Sequence, residues 1–254
     1  MMLRPALWLF TLVLMYLLPH TSLAQTRTFK QEQRRYSRVR TAYTEKEATV
    51  KAYLTNAGIT SSYQLLIMAF KQEQQVEVWA KGRQQAQFTL VHTYEFCTTS
   101  GILGPKRREG DYQIPEGYYH IDRFNPYSSF YLSLGINYPN KSDKLLTEAA
   151  RPGGDIFLHG ACVTIGCIPI TDQYIKEVYV MATEARNAGQ QKIPFWIFPA
   201  RLTSQNMAQL KQQYSQQPTL PNFWQNLQPG YTHFTTHHTL PNITINNQGQ
   251  YVFN

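Results

Sequence analysis

Cysteine is scarce in this chain of 254 residues, which has three: Cys97, Cys162 and Cys167. An odd number excludes a fully paired disulfide framework and leaves at least one thiol free. After Leu18 no long apolar run occurs, so no later segment offers the roughly 20 apolar residues a membrane-spanning helix needs. Acidic residues are few, 16 against 24 Lys and Arg, and the formal net charge is +8. Tight pairs of metal-ligating residues are also missing. His159, Cys162 and Cys167, even joined by His92 or His120, lack the second close pair that zinc sites show. No metal and no cofactor is therefore expected, and no internal repeat is visible.

Residues 1–24 read as an export signal. Arg4 supplies the positive start, Leu7 to Leu18 the apolar core, and Ser22-Leu23-Ala24 a small-residue cleavage site. Cleavage after Ala24 is expected to leave a chain with no stable membrane insertion, and the loss of Arg4 lowers the formal charge from +8 to +7. A basic surface suits nucleic acid, an anionic membrane or an acidic polymer. Export argues against nucleic acid and for an anionic cell-wall polymer. An unpaired thiol in an oxidising compartment is a liability unless it has work to do. Pairing of Cys97 with Cys162 leaves Cys167 free, whereas pairing of Cys162 with Cys167 silences it.

The remaining length suits one domain with trimmings. Residues 25–60 read as a helical N-terminal arm, in which 27–39 is polar and basic, an exposed arm or a loose helix, and Thr41 to Asn56 is helical, stopped at Gly58. The runs Leu65–Phe70, Val76–Trp79 and Phe88–Val91 predict three strands of an antiparallel meander. Tyr118–Ile121, Phe130–Leu134 and Ile156–Leu158 predict further strands beyond a turn-rich segment at 100–117. Thr171 caps a helix with Ile175, Val178, Tyr179 and Ala182 on one face, ending near Gly189. Phe195–Phe198 returns to strand. A tail, 201–254, carries a short helix around Met207 and Leu210, the Phe223-Trp224 pair and a final strand at Tyr251–Phe253. The overall expectation is a mainly β chain with flanking helices, an α+β catalytic domain over 61–200 with the tail packed on it.

The chemistry concentrates in Asp155-Ile-Phe-Leu-His159-Gly160-Ala-Cys162-Val-Thr164-Ile-Gly166-Cys167. A strand-like run delivers His159-Gly160, and Gly166-Cys167 opens the next segment. A thiol attacks as thiolate and needs a base or cation nearby, and a preceding glycine lets the backbone turn with amides facing an oxyanion. These are the parts of a cysteine acyl-transfer site, with a buried structural cysteine as the bland alternative. The spacing predicts a His159 ring nitrogen within hydrogen-bonding range of Cys167 Sγ and a thiol pKa below the free value. Lys106-Arg107-Arg108 could meet substrate carboxylates or form a solvated charge run. Tyr119 or His120 could line the cleft. Thr164 serves as a turn hydroxyl or a neighbour of the thiolate. His237 and His238 read as surface residues.

This motif, with Ser100-Gly101-Ile-Leu-Gly104-Pro105-Lys106, Gly110-Asp111 through Tyr119, and Tyr138-Pro139-Asn140 with Asp143, resembles the YkuD-type L,D-transpeptidases, most closely their YafK-like branch. The likeness covers roughly residues 60–200. It implies a β-sandwich or barrel-like catalytic domain of the cell envelope. The implied chemistry is attack on a carbonyl of meso-diaminopimelate in a peptidoglycan stem peptide, through a Cys thioester. Carried over residue by residue, Cys167 is the nucleophile, His159 the base, and the Gly160 carbonyl the group that orients it. The amides of Gly166 and Cys167 are the implied oxyanion donors, and Lys106, Tyr119 and Thr164 the candidate substrate contacts. Thr164-Ile165-Gly166-Cys167 lacks the second histidine of the larger family, and its His-to-Cys interval is shorter. In the branch it resembles, the chemistry looks like an amidase releasing a protein linked to murein. The rival from another class is a wall-binding module that keeps the fold without catalysis.

Overall fold

The computed structural model describes residues 27–254, so the expected export signal at 1–24 lies outside the described residues. Of the two readings of 27–39, the helical one holds, and the segment is pinned down. Helix α1 (Phe29–Gln33) opens with a capping box between Thr28 and Gln31. It is tied down where Gln33 accepts a 2.6 Å hydrogen bond from the Tyr179 hydroxyl. Helix α2 (Ser37–Asn56) follows and starts earlier than the sequence pattern suggested.

Strands β1 (Tyr63–Phe70), β2 (Gln75–Gly82) and β3 (Thr89–Glu95) form the expected antiparallel meander. They continue into β4 (Gly117–Asn125), β5 (Ser133–Ile136), β6 (Phe157–His159), β7 (Ile168–Pro169) and β8 (Ile193–Phe198). Together these make one curled eight-stranded sheet in the order β3-β2-β1-β8-β4-β5-β6-β7. The short helix α3 (Lys141–Leu146) lies between β5 and β6, and α4 (Asp172–Asn187), capped by Thr171, crosses from β7 to β8.

Both faces of the central strands are covered, which is why their sequences read as unbroken apolar runs. Leu65, Ile67, Ala69, Phe195 and Ile197 pack on one side with Ile175, Val178, Tyr179 and Ala182 of α4 and with α2 residues such as Val39 and Tyr43. Leu66, Met68, Phe70, Trp196 and Phe198 face the other side. There they meet Trp224, Leu227, Tyr231 and Phe234 of α6 (Thr219–His237), beyond α5 (Ser204–Gln213). Strands β9 (Ile243–Ile245) and β10 (Tyr251–Phe253) close the tail as a separate ribbon. The long helix α6 was not legible in the sequence because it contains Pro229 and Gly230. The surroundings account for the glycine: Tyr118 donates from its hydroxyl to the Leu227 carbonyl at 2.5 Å, and a Cβ on Gly230 would collide with that hydroxyl at 2.5 Å.

Candidate active site

Strands β6 and β7 run parallel, with Leu158 opposite Ile168 and His159 opposite Pro169. Side chains alternate along a strand. Leu158 and Ile168 point into the core, almost fully buried. His159 and Cys167, one residue before β7, therefore share the other face at diagonal positions, a separation that side chains can bridge.

The connecting loop 160–166 is fixed at several points. Gly160 sits where a Cβ would lie 2.5 Å from Asp172 Oδ1 and 3.0 Å from the Phe130 carbonyl, so no other residue fits. Ala161 donates its N–H to the same Asp172 oxygen at 2.8 Å. Cys162 is bonded to Cys97, and Cys97 donates its own N–H to the Pro169 carbonyl at 3.1 Å. Of the two pairings left open by the sequence this is the one formed, and Cys167 is free. The Thr164 hydroxyl donates to the Cys167 carbonyl at 2.8 Å and accepts from the Gly166 N–H at 3.1 Å. That is the turn role of the two expected. Gly166 adopts φ 135°, and a Cβ there would stand 3.1 Å from the Gln113 carbonyl.

His159 is buried, its Nδ1 against the Gly160 carbonyl and its ring 4.6 Å from that of Phe130. Burial pushes the imidazole pKa below its ordinary value, and the Gly160 carbonyl partly opposes this. The ring is therefore neutral near pH 7. A proton held on Nδ1 by that carbonyl leaves the Nε2 lone pair available. Phe130 was expected inside a strand. Instead β5 begins at Ser133, and Phe130 reaches back to the imidazole.

In the resting structure Cys167 Sγ donates to the Asp155 carbonyl at 3.6 Å and makes no hydrogen bond to His159. The expected depression of the thiol pKa is corrected. Its pKa is raised, chiefly by burial and further by the Asp155 charge, while the Phe157 backbone N–H and the Lys106 ammonium pull it down. Half-burial without a cation in direct contact leaves a neutral thiol beside a neutral imidazole.

Three further candidates are already engaged within the protein. Lys106 is 5 % exposed, with its ammonium 2.6 Å from Asp111 and 2.9 Å from the Arg108 carbonyl, so it has no free charge to offer a substrate. The Tyr119 ring is buried, and its hydroxyl bonds to the Glu116 carbonyl and Asp143 at 3.1 and 3.2 Å. The Gly166 N–H is engaged by Thr164, which leaves the Cys167 N–H as the better oxyanion donor of the two expected. His92 stacks on Tyr53, and among the described residues no three His, Cys, Asp or Glu side chains gather to hold a metal.

A curled sheet flanked by helices, with one free thiol and a neutral imidazole on the same face, has the parts of a cysteine–histidine catalytic domain. The family model for the YkuD L,D-transpeptidase catalytic domain matches residues 64–193. YafK of Escherichia coli (strain K12), named provisionally as an L,D-transpeptidase, is 36 % identical over 188 residues, 73 % of this chain and 72 % of YafK. The chain belongs to the YkuD L,D-transpeptidase family. Among solved structures, the helical cell shape determining protein Pgp2 from Campylobacter jejuni is 15 % identical, with a TM-score of 0.43 over 78 % of this chain and 80 % of that one. Bd1075 of Bdellovibrio bacteriovorus is 23 % identical, with a TM-score of 0.38 over 61 % and 55 %.

Proposed function

We propose that this chain is a periplasmic cysteine acyltransferase or amidase that acts on meso-diaminopimelate-containing peptidoglycan stem peptides through a Cys167 thioester. The observation that carries this reading is the pairing of one free thiol with one buried imidazole on a single sheet face, the ring oriented by the Gly160 carbonyl. Nε2 of His159 takes the thiol proton as Sγ bonds to the donor carbonyl. The C–N bond then breaks, and the imidazolium returns its proton to the leaving amine. An amine or water attacks the thioester, giving its proton to Nε2, and the C–S bond breaks to restore the thiol. The Cys167 N–H faces the developing oxyanion.

The His-to-Cys interval is short and the second motif histidine is missing, so less structure is expected over the acceptor side, which favours water over a second stem peptide. Hydrolysis of an amide at diaminopimelate, releasing a murein-linked protein, is thus preferred to cross-link formation. Incubating the mature protein with sacculi and resolving the products by mass tests this reading. Release of diaminopimelate-linked chains that Cys167→Ala abolishes is expected. Accumulation of cross-linked dimers without release reverses the choice between transfer and hydrolysis. Thiol-independent binding of sacculi with no product identifies a wall-binding module instead.

A further inference from the structure

The register at the catalytic edge of the sheet sorts side chains into rows. Arg123 on β4 pairs with Gly135 on β5, and Gly135 with Phe157 on β6. The Leu158–Ile168 pairing puts Cys167 next in the same row. With strands about 4.8 Å apart, Arg123 and Cys167 stand about 14 Å from each other at the backbone. Gly135 leaves the middle of that row empty. A Cβ there would come 2.9 Å from Arg123 Nε and 3.0 Å from the Phe157 ring. The Arg123 side chain lies across this gap, its guanidinium 4.8 Å from the Phe157 ring centroid. The positive charge is therefore carried over to β6, one strand short of the nucleophile.

Two carboxylates flank that guanidinium. Nη1 lies 2.8 Å from Asp155 Oδ1, and Nε lies 3.2 Å from Asp122 Oδ1. Asp155 is 81 % exposed at its side chain, and its own carbonyl touches Cys167 Sγ. Exposed ion pairs of this kind add little stability, so the arrangement is not explained by folding. It does present a cation and an anion side by side, on an aromatic floor, one strand from the thiol.

We propose that Arg123 and Asp155, laid over Gly135 and Phe157, form a receptor for an amino-acid head bearing both a carboxylate and an ammonium. Arg123 takes the carboxylate in a charge-assisted pair and Asp155 takes the ammonium. The proposal rests on the reading of Cys167 as the acyl acceptor from a diaminopimelate stem. The two carboxyl carbons of diaminopimelate are joined by a carbon chain about 7.5 Å long when extended. That length matches the gap of one to two strand spacings, roughly 5–10 Å, between guanidinium and thiol. A lysine at the same position of the stem keeps the ammonium but has no carboxylate for Arg123.

Binding to the Cys167→Ala protein tests the receptor without turnover. The probes are three acylated stem peptides differing at one residue: meso-diaminopimelate, its carboxamide at the free end, and lysine. Calorimetry is expected to show the first binding about tenfold tighter than the other two, a preference that Arg123→Gln reduces to about one. Gly135→Val keeps the charge but displaces the side chain, and loses the preference as well. Thermal melting identifies any variant that fails to fold, and Arg123→Gln at a half-exposed site keeps the test available. No preference, or a preference that survives Arg123→Gln, overturns the receptor. Turnover by the unmodified protein judges the thioester reading separately. Turnover without preference retains the thioester and removes the receptor, and preference without turnover does the reverse.

Discussion

Replacing Lys71 with Met should destabilise the protein by about 3–5 kcal/mol, because it breaks a fully buried ion pair and leaves one charge behind. Lys71 Nζ lies 2.8 Å from Glu116 Oε1 and also donates to the carbonyls of Gly104 and Ile114 at 2.7 and 3.0 Å. Glu116 accepts in turn from the Gly104 N–H and from Trp224 Nε1, both at 2.7 Å. Burial pushes the Lys71 ammonium below its ordinary pKa, and the Glu116 charge pulls it back up. After substitution Glu116 keeps two donors but loses its counter-charge inside the core. The loss is a large share of a typical folding free energy of about 5–15 kcal/mol. Urea unfolding followed by tryptophan fluorescence measures it, with the midpoint shift read at constant slope. The same pair clamps both ends of the turn-rich segment 104–114, whose Gln113 carbonyl abuts Gly166 and whose Lys106 charge reaches Cys167. Turnover at Cys167 should therefore fall even where the variant remains folded. Removing both charges, as Lys71→Met with Glu116→Leu, should recover part of the stability. A loss below about 1 kcal/mol for Lys71→Met alone would refute the argument, since it would mean the Glu116 charge is not sealed from water.

Alkylation of Cys167 in the resting protein should be slow near neutral pH and climb as pH rises through its raised pKa, as followed with iodoacetamide and mass spectrometry. Fast labelling that levels off below pH 8 would mean a thiolate is already present. Asp143 is buried, and burial raises its carboxyl pKa from 3.8 to about 6. The folded state then holds the proton more tightly than the unfolded state between about pH 4 and 6. Stability should fall as pH rises through that window, by up to about 3 kcal/mol for this group. Melting temperatures of the unmodified protein and Asp143→Asn across pH 4–7 isolate this component, which the variant should lack.

The parts of the fold that the sequence revealed were those with a strong local signal. Three meander strands, the Thr171-capped helix with its apolar face and the α5 helix after Thr203 all carry period and cap in their own residues. Helix α6 lacks a side-chain cap, and its two prolines and Gly230 interrupt an apolar face formed by Trp224, Leu227, Tyr231 and Phe234; Gly230 answers to the close approach of Tyr118 and Phe253 from elsewhere in the chain. At the site, His159-Gly160 and Gly166-Cys167 were legible because the chemistry of a thiol and its base restricts residue types over a short span. Their electrostatics were not. The thiol pKa is set by how deeply β6 and β7 bury it, a property of the sheet and not of the motif. Lys106 and Tyr119 illustrate the same limit, since both look like exposed polar contacts in sequence but are consumed by Asp111, Asp143 and Glu116. Arg123 carries no such signal, because its place one strand from Cys167 depends on a row across four strands.

The disulfide ties these levels together and yields an asymmetric expectation for the two cysteines that form it. The bond between Cys97 and Cys162 spans a separation of 65 residues, so in the chain-entropy model it contributes about 4 kcal/mol. Cys97→Ser and Cys162→Ser each remove that contribution and should be about equally destabilised. Their effects on the Cys167 thiol differ. Cys97→Ser frees a thiol at Cys162, five positions before Cys167 on the same loop, where the loss of one anchor and the glycine at 166 allow the short ring to close. Closing so small a loop costs little chain entropy, and the resulting Cys162–Cys167 bond consumes the Cys167 thiol. Cys162→Ser instead frees Cys97, which is held on the strand side by its N–H bond to Pro169 and is not on the loop. In an oxidising buffer Cys97→Ser should thus lose activity and show no reactive thiol, and a reductant should restore both. Cys162→Ser and the double variant should stay active at temperatures below their lowered melting points. Equal activity of the two single variants before reduction would show that loop 160–166 cannot fold back on Cys167, and that the disulfide serves stability alone.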